Sequence, residues 1–241
     1  MKFRSLMKTN KFTLVVTMPQ ELKFAEAAVK GGADVLKMRC NINSMLKLSA
    51  GIISGPFQER KGFLKEVIDM AGEVSVGLVP GRFDTYITEA ERIEMEEMGF
   101  DYFNSHYKYT RPYMFDSKVL TSVISFTEDN WNDTEMFRAI DESNKIDIVE
   151  ANFVTEENFG KDLVLEDILK HESVARRLHQ PIIATAQKSV KPQEVRYLYE
   201  AGCKALMIGV IQFNVAAEGG EITPEIVRNT TEKYREAIDK L

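Results

Sequence analysis

One helix-to-strand junction recurs along this chain and constrains its fold more than any other feature. At each junction a helical pattern ends at a glycine or asparagine, and an apolar run typical of a buried strand begins within a few residues. These junctions lie at residues 30–38, 97–104, 143–149 and 200–208. Glycine and asparagine readily adopt the left-handed backbone conformation that ends a helix. The repetition therefore predicts one supersecondary unit that is used many times.

Eight such units can be placed along the chain. We predict strands at residues 13–17, 35–41, 74–79, 101–106, 120–125, 146–152, 182–187 and 205–210. We predict helices at residues 21–30, 57–71, 85–98, 133–141, 165–179, 192–201 and 224–241, with Asp133 and Thr223 suited to N-cap positions. Residues 111–118 are too few for a full helix in the fourth unit, and residues 212–220 after the eighth strand have a loop-like composition.

Alternating strands and helices are compatible with two architectures. A doubly wound sheet would have more polar edge strands and would not need eight units. A (β/α)8 barrel needs eight units and typically occupies about 250 residues. The chain has 241 residues. We therefore predict an α/β fold, a single (β/α)8 TIM barrel, as one domain over residues 1–241.

Composition limits the kinds of partner. The net charge is −6 and no run of basic residues occurs, so we expect no nucleic-acid partner. No run of about 18 apolar residues is present and the first residues do not resemble a signal peptide, so we expect a cytoplasmic protein with no membrane partner. Two cysteines, Cys40 and Cys203, lie in apolar segments and predict reduced core thiols.

Polar side chains interrupt three of the predicted strands. Parallel barrel strands bury both faces, so charged residues inside them need a reason. Because side chains alternate along a strand, Leu36, Met38 and Cys40 are predicted to face the helices. The same alternation predicts three inward rows that lead to the carboxyl end of the barrel, where active sites of this fold lie. These rows contain Lys37, Arg39 and Asn41, then Asn104 and His106, then Glu150 and Asn152.

These inward residues fit proton transfer or carbonyl activation. Lys37 and Glu150 could act as an acid/base pair, or Lys37 could form a Schiff base with a carbonyl substrate. Arg39 presents a fork suited to a carboxylate or phosphate, and His106 could exchange a proton with substrate. The alternative interpretation is structural: a buried ionic plug that fills the barrel, with His106 as a hydrogen-bonded core residue. The sequence has neither paired histidines nor a carboxylate cluster at ligand spacing, so it does not predict a metal site.

Two short motifs lie in the last quarter of the predicted barrel, Glu200-Ala201-Gly202 and Met207-Ile208-Gly209. With them this quarter resembles the phosphate-binding TIM barrels, a group that includes sugar-phosphate epimerases and several flavin oxidoreductases. This resemblance implies a phosphate site after the seventh and eighth strands. The group's consecutive glycines after the seventh strand are replaced here by residues 186–189. The resemblance thus implies that Lys188 and Ser189 hold the phosphate with Gly209, beside Gln187 as a substrate contact, or that the ligand is not phosphorylated.

Three functions follow from these patterns. The first is an enzyme that isomerises, epimerises or cleaves a small anionic carbonyl compound without a cofactor, with Asn41, Asn104, Asn152 and Arg39 orienting the substrate. The second is a flavin-dependent oxidoreductase, and the third is a non-catalytic ligand-binding barrel. The long loop at residues 43–56 is compatible with a lid or with an ordinary connection. Aromatic residues at 107–115 could form a contact surface for a homo-oligomer or could pack over the short fourth unit.

Overall fold

A computed structural model describes residues 2–42, 54–127, 133–185 and 187–241 of the chain. Eight parallel strands pair in sequence order and close into a barrel, with β1 paired to β8. The strands are β1 Thr13–Val16, β2 Val35–Arg39, β3 Ser75–Val79, β4 Tyr102–His106, β5 Thr121–Thr127, β6 Ile148–Asn152, β7 Ile182–Thr185 and β8 Ala205–Ile208. The predicted (β/α)8 TIM-barrel fold is confirmed.

Helices surround the barrel between most strands. They are α1 Lys2–Thr9, α2 Leu22–Lys30, α3 Phe57–Ala71, α4 Glu89–Met98, α5 Thr134–Asp141, α6 Leu165–Arg177, α7 Val195–Glu200, α8 Val210–Ala216 and α9 Pro224–Asp239. The predicted N-caps are confirmed: the Asp133 carboxylate accepts from the Met136 amide at 2.9 Å, and the Thr223 hydroxyl accepts from the Ile226 amide at 3.2 Å. These bonds satisfy amide groups that have no partner within the helix.

The element after the eighth strand differs from the sequence prediction. Residues 210–216 form α8, where a loop was expected, because the Gln212 side chain accepts a hydrogen bond from the Gly209 amide at 3.0 Å and closes the first turn. The fourth unit agrees with the prediction that residues 111–118 are too few for a full helix, since a short 3₁₀ helix, Pro112–Asp116, lies there. Met114 there is fully buried, and Tyr113 and Phe115 pack against the core. The aromatic segment therefore packs over the short fourth unit, one of its two predicted alternatives.

Helix α1, which the sequence analysis did not predict, closes the amino-terminal end of the barrel. Phe3 and Met7 of α1 are buried with Val15, Tyr102 and other inward-facing strand residues. The Asp101 carboxylate accepts hydrogen bonds from the Lys2 amide at 2.6 Å and from the Phe3 amide. An acceptor at this position also complements the partial positive charge of a helix amino terminus. One end of the barrel is thus filled, and the other is open.

A glycine makes room for the largest inward side chain. Tyr102 lies across the interior, and its hydroxyl donates to the Leu36 carbonyl at 2.9 Å. Gly77 is its partner on the adjacent strand β3. A Cβ atom at position 77 would lie 2.2 Å from the Tyr102 ring, so only glycine is accommodated there. Tyr102 is thus buried in the same apolar cluster as Phe3 and Met7 of α1.

Candidate active site

A cavity of about 650 Å³ opens at the carboxyl ends of the strands. This volume is typical of a site for a small molecule. Residues of every strand from β2 to β8 line it together with residues of the loops that follow the strands. Its polar lining includes Lys37, Arg39, Arg82, Asn104, His106, Tyr109, Ser125, Glu150, Asn152, Thr185, Gln187 and Gln212.

Lys37 and Glu150 form an ion pair in the floor of this cavity. The Lys37 ammonium donates to Glu150 Oε2 at 2.8 Å across the barrel. Both side chains are less than one tenth exposed. Asn152 donates to the other carboxylate oxygen, Oε1, at 3.0 Å. The inward orientation predicted for these residues from strand alternation is therefore what the structure shows, and the outward set of Leu36, Met38 and Cys40 lies in the outer core.

Burial and neighbouring charges shift the pKa of both members of the pair. Desolvation, reinforced by the charge of Arg39, lowers the pKa of Lys37 even though Glu150 opposes this effect. Burial by itself would raise the pKa of Glu150. The charge of Lys37 and hydrogen bonds from Lys37, Asn152 and Asn104 outweigh burial and hold that pKa below its usual value. The result is an ionised carboxylate beside an ammonium that loses its proton more readily than an ordinary lysine.

Two guanidinium groups also reach the cavity. Arg39 ends β2, and its backbone amide donates to the Gln20 side chain at 2.9 Å. Arg82 lies three residues beyond the end of β3 and interacts with the Tyr109 hydroxyl by a hydrogen bond. The described charged residues of the lining are thus Lys37, Arg39 and Arg82 against Glu150 alone. Three cations facing one carboxylate favour an anionic ligand.

His106 and Asn104 lie on β4 as the alternation predicted. The His106 ring stacks on Tyr109, with centroids 5.2 Å apart, and its Nδ1 accepts from the Lys108 amide at 3.1 Å. Asn104 donates to the Val123 carbonyl at 3.2 Å. Both line the cavity, on the wall next to β5.

The resemblance assigned a phosphate to the corner of the cavity after β7 and β8, and only some of the residues predicted for that corner line the cavity. Gln187 and Gly209 line the cavity, whereas Lys188 and Ser189 do not. Lys188 is buried, with its ammonium 3.3 Å from a carboxylate oxygen of Asp167 on α6. The Gly209 amide is bonded to Gln212, whose side-chain nitrogen donates to the Lys188 carbonyl at 2.9 Å. The Lys188 ammonium and the Gly209 amide, which were expected to face a phosphate, are thus bonded to side chains of the protein.

Asn41 is also outside the cavity. It adopts a positive φ of 56° just after β2. Its side-chain oxygen accepts from the Phe57 amide at the start of α3, at 3.0 Å, and its nitrogen donates to the Pro80 carbonyl at 3.4 Å. Asn41 therefore connects β2, α3 and the loop after β3, because the strand ends at Arg39 and the alternation that predicted an inward side chain no longer applies.

Arg82 and Tyr109 were missed by the sequence analysis. Both lie in loops, where strand alternation gives no direction for a side chain. A signal for Arg82 was available: it follows Pro80-Gly81 directly after a buried strand, at the end of the barrel where sites of this fold lie. Tyr109 had no such signal, since its position depends on how the loop after β4 folds back.

The remaining predictions concern the loop after β2, a metal site, a membrane span and the two cysteines. The predicted loop at residues 43–56 falls mostly outside the described residues. Within the described part of the chain, no group of histidine, cysteine, aspartate and glutamate side chains could hold a metal ion. Over the same residues, no helix is both long enough and apolar enough to cross a membrane. Cys40 and Cys203 are free and buried.

Comparisons with known proteins identify the fold. No family model matches the chain, and no curated protein matches its sequence. N-(5'-phosphoribosyl)anthranilate isomerase from Pyrococcus furiosus is 16% identical, with a TM-score of 0.61 over 93% of this chain and 99% of that one. A mutant tryptophan synthase alpha subunit from P. furiosus is 10% identical, with a TM-score of 0.69 over 94% and 98%. Tryptophan synthase from M. tuberculosis is 12% identical, with a TM-score of 0.67 over 98% and 96%. The resemblance to phosphate-binding TIM barrels is therefore confirmed at the level of the fold.

Proposed function

We propose that this chain is an enzyme that transfers protons on a small anionic carbonyl compound, as an isomerase, epimerase or lyase. The observation that carries the proposal is the Lys37–Glu150 ion pair at 2.8 Å in the floor of an open cavity. Similarity of fold to an isomerase and to tryptophan synthase is compatible with it. A purely structural plug would not need an open cavity above the pair.

The two groups have complementary roles in this proposal. The Glu150 carboxylate removes a proton from the carbon next to the substrate carbonyl, and the electron pair of that C–H bond moves into an enolate. The Lys37 ammonium donates a hydrogen bond or its proton to the carbonyl oxygen, where negative charge develops. Its lowered pKa favours donation near neutral pH. Return of a proton to the other face or to the neighbouring carbon gives the epimer or isomer.

Neighbouring residues position this chemistry. Asn152 donates a hydrogen bond to Oε1 of Glu150, so that Oε2 of the same carboxylate is bonded to Lys37 in the resting site. A substrate oxygen that takes the place of Oε2 at the ammonium would release that carboxylate oxygen as a base. His106, on the β4 wall of the same cavity, is placed for a second proton transfer at a substrate hydroxyl.

Exchange of substrate protons with solvent tests this proposal before the substrate is known. Phosphorylated sugars and 2-oxo acids would be incubated with the protein in D2O, and loss of the proton next to the carbonyl would be followed by proton NMR. Glu150→Gln and Lys37→Met should slow the exchange about 10²- to 10⁴-fold, the usual contribution of a general acid or base. Lys65→Met, which removes an exposed lysine of α3, is the matched control and should leave it unchanged. Equal exchange by wild type and both active-site variants would refute the proposal.

A Schiff base at Lys37 is the second candidate chemistry, because desolvation and the adjacent Arg39 lower the pKa of this amine. Borohydride would trap such an imine as a stable mass increase on Lys37 with the same 2-oxo acids. An adduct on Lys37 that Lys37→Met abolishes would assign the lyase type. A yellow purified protein would instead favour the flavin alternative.

A further inference from the structure

Arg39 and Arg82 bring two positive charges to adjacent strand ends. β2 and β3 are paired, with Arg39 opposite Val79, and Arg82 follows Val79 by three residues. Both side chains line the cavity. Among the residues that the structure describes, neither guanidinium has a carboxylate within salt-bridge distance, whereas Arg92, Arg138, Arg176 and Arg235 of the helices are each paired with one. The one carboxylate of the described lining, Glu150, is bonded to Lys37 and Asn152.

This arrangement leaves positive charge uncompensated. Desolvation lowers the pKa of Arg39, Glu150 opposes that effect, and Arg82 lowers the pKa further by repulsion. Two guanidinium groups that repel each other in a partly desolvated cavity would each gain from an anion placed between them. Guanidinium forks match the oxygen geometry of phosphate and carboxylate groups.

The loop that carries Arg82 is held in a strained but fixed conformation. Phe83 has a φ of 31°, which is strained for a residue with a side chain. Gly81 has a φ of 123°, which suits glycine, and a Cβ there would lie 2.5 Å from the Thr85 carbonyl oxygen. The Thr85 hydroxyl lies 2.7 Å from the Asn41 carbonyl oxygen and 2.8 Å from that of Arg82. The Arg111 side chain donates to the Phe83 carbonyl at 2.8 Å. Backbone strain that several hydrogen bonds maintain is typical of loops that position a functional group.

The opposite corner, after β7 and β8, is already filled by the protein's own bonds. The ammonium of Lys188 is 3.3 Å from Asp167, and the Gly209 amide is bonded to Gln212. We propose that Arg39 and Arg82 form the anion subsite of the cavity and hold the phosphate or carboxylate of the substrate beside the ends of β2 and β3. The assignment of this anion to a substrate depends on the proposed function, whereas the binding of an anion there does not.

Calorimetric titration with inorganic phosphate and with acetate, at low ionic strength, tests the subsite without turnover. Arg39→Gln and Arg82→Gln should each weaken binding of the preferred anion about tenfold or more, the loss expected for a charge-assisted hydrogen bond. Tighter binding of phosphate than of acetate would indicate a phosphorylated substrate, and the reverse order a carboxylated one. Arg138→Gln removes an exposed arginine of α5 and should change the affinity less than twofold.

Two further variants separate this subsite from the corner after β7. Ser189→Ala and Lys188→Gln should retain phosphate affinity, with thermal melts to verify that Lys188→Gln folds. The proposal is overturned if either one abolishes anion binding in a folded protein, or if the Arg39→Gln/Arg82→Gln double variant binds the preferred anion as well as wild type does. If the wild-type protein catalyses no deuterium exchange but binds phosphate in a way that depends on Arg82, the proposed function alone is refuted.

Discussion

Removing one member of the Lys37–Glu150 pair should destabilise the protein far more than removing both. At 2.8 Å and an effective dielectric constant of about 20, the attraction between the charges is about 6 kcal/mol before any desolvation cost. Desolvation of two ions offsets most of this gain, so the intact pair contributes little net stability. A single substitution, however, leaves the other charge buried without a partner.

The cost of each single variant has an upper limit set by neutralising the remaining group. Protonating Glu150 at pH 7 costs about 4 kcal/mol from a reference pKa of about 4.3, which limits the loss in Lys37→Met. Deprotonating Lys37 at pH 7 costs about 5 kcal/mol from a reference pKa of about 10.4, which limits the loss in Glu150→Gln. We expect each variant to lose about 3 kcal/mol or more, and the double variant to stay within about 2 kcal/mol of wild type.

The pH dependence of the two single variants should have opposite signs. In wild type the lowered pKa of Glu150 gives stability that is present above about pH 4.3 and is lost as the pH falls through the folded value. In Lys37→Met the folded pKa of Glu150 is raised instead. The stability deficit of that variant should therefore shrink from pH 7 to pH 5, at about 1.4 kcal/mol per pH unit. The deficit of Glu150→Gln should shrink from pH 7 to pH 9, because neutral Lys37 is then easier to form.

Urea unfolding followed by circular dichroism at pH 5, 7 and 9 measures these quantities. Lys65→Met, which removes an exposed i,i+4 pair with Asp69, serves as control and should change stability by less than about 1 kcal/mol. Additive single effects, with a coupling below about 0.5 kcal/mol, would show that the two charges do not interact and would refute the reasoning. Deficits that do not change with pH would refute it as well.

Three other predictions concern the scaffold. Asp101→Ala should lower the free energy of unfolding by about 1–3 kcal/mol in urea, since it removes the acceptor for the first amides of α1; an unchanged midpoint would contradict this role. Gly77→Ala should destabilise by about 1–3 kcal/mol or more, because its Cβ would meet the Tyr102 ring, and Tyr102→Leu in the same protein should recover part of the loss. Burial raises the pKa of Cys203 to about 12 and raises that of Cys40 as well, so a thiol reagent should label neither cysteine until the protein is unfolded.

Local sequence was enough for the features that depend on periodicity. Repeated helix-to-strand junctions predicted the barrel, because each unit is closed by residues within a few positions of one another. Alternation along β2 and β6 predicted that Lys37 and Glu150 meet. Parallel barrel strands bury both faces, so an inward-facing charge needs an oppositely charged partner inside the barrel. The prediction failed at Asn41, two residues beyond the last residue of β2, where alternation had stopped.

Tertiary structure decided which polar groups remain open to a ligand. Lys188 follows a barrel strand as a phosphate-binding lysine would, but Asp167, 21 positions earlier in the chain, is its partner. Arg82 and Tyr109 enter the cavity only because two loops fold against each other. Helix α1 closes the amino-terminal end of the barrel, and it is held there by Asp101, which lies about 100 residues away in the sequence. Sequence periodicity acts over a few residues, whereas the charge that a cavity presents is set by pairs that only the closed barrel brings together.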